Sequence, residues 1–359
     1  MKKNLFLEFI GCLENLAFKP ENSLGRRYSE DPDSLYFFLD PFLLDREKIR
    51  LSKSYRKLAD KRQVFPPGIH SNVRNRLIHT NEVVNLSVIL SEILGLNTHL
   101  AEAIAHGHDI GHTPFGHLGE RLIRELSKSN FSHNVMSVVT AQKIERRGLG
   151  LNLTYETLEG ILHHSRGNNK MSVNSDISAE ATLVMYCDKI AYTFSDLNDA
   201  LKVKFLSKDS LPKLVKYFGK NQRERIANVI YNVVLESAEE RKVSFSKSEC
   251  AQHFEELKSW MYENVYFKLD SQGEREKVFK NLESVYNFIT KRFEGKLDPG
   301  LAISTMTDSE ALSLSASICN GKAFDLNYGF SETIMDFVGK KIEITDPDLQ
   351  KADFSRDNL

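Results

Sequence analysis

Residues 106–120 read HGHDIGHTPFGHLGE. Four histidines, one aspartate and one glutamate fall in fifteen residues, with glycines and a proline among them. Histidine is the commonest nitrogen ligand for metals and the side chain that titrates near neutral pH. Carboxylates complete the shells of divalent ions. This density calls for a bound cation, for proton transfer, or for both. Ten of the eleven histidines lie between His70 and His164, and only His253 lies outside. That confinement points to one site.

Such residues need elements to hold them. His108 and Asp109 are adjacent, so on a helix they point about 100° apart. Both reach one cation over a helix end if the chain bends there, and Gly111 and Pro114 supply a break. One pair cannot close a metal shell, so the rest must come from other helices. His79 lies inside RNRLIHTNEVVNLSVILSEILG (74–95), whose Leu77, Val83, Val84, Leu86, Ile89, Leu90 and Ile93 make a broad apolar face. Asp188 lies in LVMYCDKIAY, a helix apolar enough to be mostly buried. A buried aspartate is costly without a partner, and a cation is one. Two imidazoles and two carboxylates suit Mn, Fe or Zn with open positions for water and substrate. The bland alternatives stay open at this level. An HD dipeptide is common by chance, a histidine on an apolar face is more often core, and Asp188 has Lys189 beside it.

The rest of the chain reads as helix and loop. Gly95 is a candidate C-cap, and Thr98 a candidate N-cap for THLAEAIAHGHD. IRLSKSYRKLADK (49–61), LGERLIRELSKS, YETLEGILHHS (155–165) and residues 177–201 carry helical spacing. QVFPPGIHSN (63–72) is a loop, and Asp298-Pro299-Gly300 a turn. VSFSKSEC and KKIEITD are the only strand candidates. The expected fold class is mainly α. The expected organisation is an N-terminal amphipathic helix and irregular arm (1–48), a site-bearing core (49–205), C-terminal helices packed on it (206–345) and a flexible tail (346–359).

The 359 residues carry a net charge of −1, so no bulk charge draws nucleic acid or membrane. Basic runs such as KLVKYFGKNQRER permit local binding of single-stranded nucleic acid, although such runs are usually solvated helix faces. Four dispersed cysteines with no CxxC pair read as free thiols. No signal peptide and no apolar run of membrane-spanning length is evident, so the expected location is cytoplasmic.

Matched in order, the motifs resemble the deoxynucleoside triphosphate triphosphohydrolases, the dGTPase-like branch of the HD-domain superfamily. They are IRLSKSYRKLADKRQVF, RNRLIHTNEV, HGHDIGHTPFGHLGE, FSHN (131–134), LGLNLTYETLEGILHH and DKIAYTFSD, with a fainter echo in TMTDSEAL (305–312). The likeness is strong over about 40–200 and weaker beyond. It implies an HD-domain helical bundle, a divalent metal (Mn, Fe, Zn, Co or Mg) and a dNTP substrate. A dNTP effector and a tetrameric or hexameric homo-oligomer are also implied. Carried over position by position, His79, His108, Asp109 and Asp188 match the metal ligands. His112, His117, Glu120 and His133 match residues of phosphate contact and proton handling. Arg76 and Lys189 match positions facing the phosphates, Lys57 a region that shapes sugar selection and His164 a position near the substrate, and Tyr192 and Asp196 match the pair that recognises deoxyribose. A triphosphate also needs cations to offset its charge, and by residue type Arg56, Arg76, Lys61 and Lys189 can provide them. Departures at Met136, Lys57 and Arg62 leave the metal ligands intact.

Spacing alone agrees on one point. Asp188, Tyr192 and Asp196 are successive four-residue steps, so one helix face displays them in a row. The implied reaction is water attack at the α-phosphorus, releasing a deoxynucleoside and intact triphosphate. The alternatives are another HD phosphohydrolase, acting on a nucleoside monophosphate, an alarmone or a cyclic nucleotide, and a nucleotide- or nucleic-acid-binding protein with secondary catalysis.

Overall fold

Polar side chains cap most of the helices, and the computed structural model describes residues 8–31, 39–66, 69–165, 177–270, 272–321, 332–342, 349 and 351–354. In chain order these are α1 (Pro41–Arg50), α2 (Lys53–Lys57), α3 (Arg76–Leu94), α4 (Thr98–Gly107) and α5 (Gly116–Ser127). Then come α6 (His133–Val139), α7 (Tyr155–His163), α8 (Ala179–Lys202), α9 (Val215–Phe218), α10 (Gln222–Glu240) and α11 (Glu249–Met261). The C-terminal set is α12 (Phe267–Leu269), α13 (Gln272–Arg292), α14 (Pro299–Ser304), α15 (Asp308–Cys319) and α16 (Glu332–Met335). No strand forms among the described residues; one isolated bridge pairs Arg62 with Asn75. The mainly α fold class is as expected.

Asn75 accepts the Ile78 N–H at 3.0 Å to open α3, and Gly95, at φ 78°, closes it as expected. Asn97, not Thr98, caps α4: its side chain accepts from Leu100 N at 3.0 Å. The 49–61 stretch is not one helix. α1 ends at Arg50, and the buried Ser52, in extended backbone, caps α2 by accepting from Tyr55 N–H at 3.1 Å. Asp298 likewise caps α14 with Pro299 in its first turn, so Asp-Pro-Gly is a helix start. The strand reading of VSFSKSEC fails for a definite reason. The buried Glu236 carboxylate takes the N–H groups of Ser246, Lys247 and Ser248, and Ser248 then caps α11. Of KKIEITD, residues 343–346 lie outside the described residues, and 340–342 form no strand.

The N-terminal segment, where described, is not an amphipathic helix. It is a turn followed by a 3₁₀ turn at Glu14–Leu16, docked by Gly11 N–H to Ile93 O at 2.8 Å and Leu13 N–H to Leu94 O at 2.9 Å. Of the expected tail, Lys351–Phe354 is a 3₁₀ turn that buries Phe354 against Tyr155, with ring centroids 5.4 Å apart. The remainder of 346–359 apart from residue 349 lies outside the described residues.

α4 is central, packed against α1, α3, α7 and α8. One core joins α3, α4 and α8 to α10 and α11 through residues such as Leu90, Ile104, Phe194, Val233 and Phe254. A second joins α5 and α6 to α13, α14 and α15 through Ile123, Met136, Leu282, Leu301 and Leu314. Each fully buried aliphatic side chain contributes roughly 1.5–3 kcal/mol before ordering entropy is subtracted. The C-terminal helices therefore share the cores of the helices that carry the histidines, as expected. By length and composition alone α3 is apolar enough to cross a membrane, contrary to the sequence reading. It is nevertheless a core helix, since it packs on α4 and α8 and buries Arg76 and His79.

Candidate active site

Three elements deliver the candidate metal ligands to one point. α3 brings Arg76 and His79, and α8 brings Asp188. α4 ends at Gly107, and the chain turns so that His108 and Asp109 lie at its end, as the helix-break argument requires. Gly111 makes the bend possible. A Cβ there would lie 2.2 Å from the backbone of Met136 and Ser137, so the turn presses directly against α6. Ser137 Oγ locks the contact, accepting from Gly111 N–H at 3.0 Å and donating to His108 O at 2.8 Å.

His79 Nε2 lies 3.0 Å from Asp188 Oδ1. His108 Nε2 lies 3.4 Å from Asp109 Oδ2 and 4.0 Å from Asp188 Oδ1. Ligand atoms of His79, His108 and Asp109 fall within 4.8 Å of one another. His108 Nδ1 lies 2.7 Å from the Ala105 carbonyl, which fixes the proton on Nδ1. Its buried Nε2 has no hydrogen-bond partner among the described residues. Against burial, Asp109 and Asp188 push the His108 imidazolium pKa up to about 9. Asp188 is held down to about 2, against burial, by His79. A site that draws positive charge to a nitrogen lone pair between carboxylates fits a divalent cation in place of the proton.

Beside it sits a second group. His133 Nδ1 lies 3.0 Å from Glu120 Oε2, and His117 Nδ1 lies 3.3 Å from the same oxygen. His133 Nε2 lies 4.0 Å from Asp109 Oδ1, so the ring bridges Glu120 and the metal-ligand set. Despite burial, Glu120 raises the pKa of His133. His112 stacks on His133 at 4.8 Å; burial and the Arg76 charge push its pKa well down. His164 lies 5.0 Å from the His108 ring and 5.3 Å from that of His133. Its Nδ1 is tied to Ile161 O at 2.7 Å, and burial with the His108 charge lowers its pKa to about 3.

A cavity of about 920 Å³ opens onto this group, lined by His117, Glu120, His133, Tyr192 and Asp196. Tyr192 and Asp196 follow Asp188 along α8, as the four-residue spacing requires. Arg76 pairs with Asp109, and Lys189 is buried on α8. Two sequence candidates are not brought here. Tyr55 is the side chain α2 buries, and its neighbours face elsewhere. Arg56 donates to Leu51 O at 2.7 Å beside a separate concavity, and Lys57 bonds Thr305 O at 2.9 Å and Glu310 at 2.8 Å. Tyr262 and Tyr266 line the cavity and escaped the sequence reading. Tyr266 donates to Asp196 Oδ2 at 2.9 Å. Both sit at the ends of a π-helical turn, Tyr262–Tyr266, and a local change of helical pitch leaves no periodic signal. His106, by contrast, is held in the core, its Nδ1 3.0 Å from the Tyr55 hydroxyl.

A helical bundle that gathers histidines and aspartates from α3, α4 and α8 defines the class, and residues 76–193 match the HD domain. The chain is 37% identical over 278 residues to a deoxyguanosinetriphosphate triphosphohydrolase-like protein of Clostridium tetani, covering 76% of this chain and 79% of that one. It is 37% identical to a protein of the same description from Clostridium perfringens (79% and 82% covered) and 36% identical to one from Caldanaerobacter subterraneus (77% and 79% covered). The chain belongs to this deoxyguanosinetriphosphate triphosphohydrolase-like family of HD-domain proteins, and it is a phosphohydrolase of the HD superfamily.

Proposed function

We propose that the protein hydrolyses deoxynucleoside triphosphates to a deoxynucleoside and inorganic triphosphate. The observation that carries this is the single face of α8, which gives Asp188 to the metal-ligand cluster and Tyr192 and Asp196 to the adjoining cavity. A phosphate at the cluster and a sugar beside Tyr192 and Asp196 fit that order. The name of the relatives supports the substrate class.

His79, His108, Asp109 and Asp188 would hold the divalent cation, which when bound supplies Lewis-acid polarisation of a phosphate oxygen and an acidified water. The chain's own residues do the rest. His117 at the cavity wall and His112 behind it are placed to hydrogen-bond triphosphate oxygens. The substrate's charge, about four negative near neutral pH, needs such donors to offset it. His133, kept protonated and oriented by Glu120, gives its proton to the leaving 5′-oxygen. Tyr192 packs on the sugar, and Asp196 binds its 3′-hydroxyl.

The test is incubation of metal-loaded protein with each of the four dNTPs, singly and in pairs, with products read by phosphorus NMR. Triphosphate with free deoxynucleoside is expected. Orthophosphate, pyrophosphate or a ring-opened cyclic nucleotide as the product from matched substrates would overturn the substrate class, as would no turnover of any dNTP.

A further inference from the structure

TMTDSEAL (305–312) lies far along the chain from the histidine turn yet folds onto it. Thr307 and Glu310 form a capping box that starts α15. Asp308, the first residue of that helix, is 2% exposed. Its Oδ1 accepts the Phe115 N–H at 2.9 Å, and its Oδ2 accepts Arg62 Nε–H at 2.8 Å. The Arg62 guanidinium lies over the Phe115 ring, 5.1 Å from its centroid. At the other end of the turn, Lys61 Nζ donates to the His112 carbonyl and, at 3.0 Å, to Ser304 O. Both ends of the 112–116 turn are therefore tied to the 304–308 segment.

The turn needs such ties. Phe115 has φ 63° and ψ 20°, a left-handed conformation that is an outlier for a bulky residue. Backbone of this kind persists only where its surroundings hold it. Phe115 is also the residue from which α5 departs, with no side-chain cap of its own. Its orientation sets where His117 and Glu120 fall, and Glu120 in turn orients His133. An anionic carboxylate at the start of α5 also suits the positive end of that helix.

We propose that Asp308 is a positioning residue for the hydrolytic reaction, acting through the Phe115 N–H to aim the first turn of α5; this rests on the phosphohydrolase reading above. The rival is a purely structural role, in which the Arg62 ion pair is what counts. Two conservative variants separate them. Asp308→Asn keeps an oxygen for Phe115 and loses the charge facing Arg62. Asp308→Glu keeps the charge and, one methylene longer, displaces the oxygen from Phe115.

The experiment measures kcat, KM and metal stoichiometry of both variants, with amide hydrogen exchange at Phe115 in substrate-free protein. We expect Asp308→Glu to lose at least tenfold in kcat with KM and metal content little changed. Asp308→Asn is expected to stay within threefold of wild type. The Phe115 amide should exchange as slowly as helix amides in wild type and faster in Asp308→Glu. Equal kcat in the two variants, or a more active Asp308→Glu, would overturn the proposal. If neither variant folds, the wild-type amide decides, and exchange at loop rates overturns it. A wild type that hydrolyses no dNTP defeats the substrate reading instead. The exchange arm uses no substrate and still reports on the Asp308–Phe115 bond.

Discussion

Glu120 Oε2 lies 3.0 Å from His133 Nδ1, and both side chains are largely buried at the cavity wall. Burial alone would strip the proton from His133, and the carboxylate reverses that and raises its pKa. A donor must be protonated to act, so turnover should fall as pH rises through the His133 pKa. Glu120→Gln removes what raises it, so that fall should move to lower pH. A drop of about 100-fold in kcat is expected from losing an oriented proton donor. The pH–rate profile of triphosphate release checks it, and an unmoved basic limb would remove His133 from the donor role.

Asp109 pairs with Arg76 and His108, and His133 Nε2 lies 4.0 Å from it. Asp109→Asn keeps the shape and loses the charge that both the cation and Arg76 need. Bound metal and turnover should fall together by more than about 100-fold, beyond the range seen on disturbing outer partners of a metal ligand. Metal analysis of the purified variant beside its kcat is the measurement. Full turnover at wild-type metal content would dismiss the four-ligand set.

How much of this could be read beforehand follows from where the signals are local. The α3 span was legible because a polar cap, a 3.6-residue apolar pattern and a terminal glycine all agree over Asn75–Gly95. The grouping of His79, His108, Asp109 and Asp188 came from histidine density, burial logic and family likeness, and the distances bring those atoms together. What escaped was set by tertiary contact. Arg56 and Lys57 are typical phosphate-binding types, yet burial of Tyr55 turns them away from the cavity. Tyr262 and Tyr266 reach it through a π-helical turn, and Glu236 prevents a strand at 243–250 by binding backbone from another helix. Phe354 is buried by contacts with residues distant in sequence, which terminal position and polarity do not reveal.

Gly111 has no room for a side chain, since a Cβ would meet α6 backbone at 2.2 Å. Rigid backbone cannot yield as a flexible side chain does. Gly111→Ala should therefore destabilise by about 1–3 kcal/mol through overpacking. It should also weaken metal binding, because the displaced turn carries His108 and Asp109. Urea unfolding with and without added metal measures both effects. Wild-type stability in the variant would mean the turn and α6 are not in contact.

Asp196 offers a pH dependence whose sign can be worked out. It is buried near the carboxylates of Asp199 and Glu82, and burial above all raises its pKa to about 8, although the Tyr266 hydroxyl donates to it. The unfolded chain's aspartate titrates near 3.9. Between about pH 4 and 8 the folded state therefore binds the extra proton, so stability falls as pH rises and levels off above that window. Asn resembles the protonated acid and does not titrate. The Tm of Asp196→Asn relative to wild type should therefore rise by a few °C from pH 5 to pH 8, and a gap that stays flat or narrows counts against the buried, proton-holding acid. The same residue tests sugar recognition. Asp196→Ala loses one hydrogen bond to the substrate, worth about 1.4 kcal/mol or a tenfold rise in KM for a dNTP. A dideoxynucleoside triphosphate has no 3′-hydroxyl to lose, so its KM should be unchanged by the substitution. Equal effects on both substrates would take Asp196 out of the sugar site and leave it a structural acid paired with Tyr266.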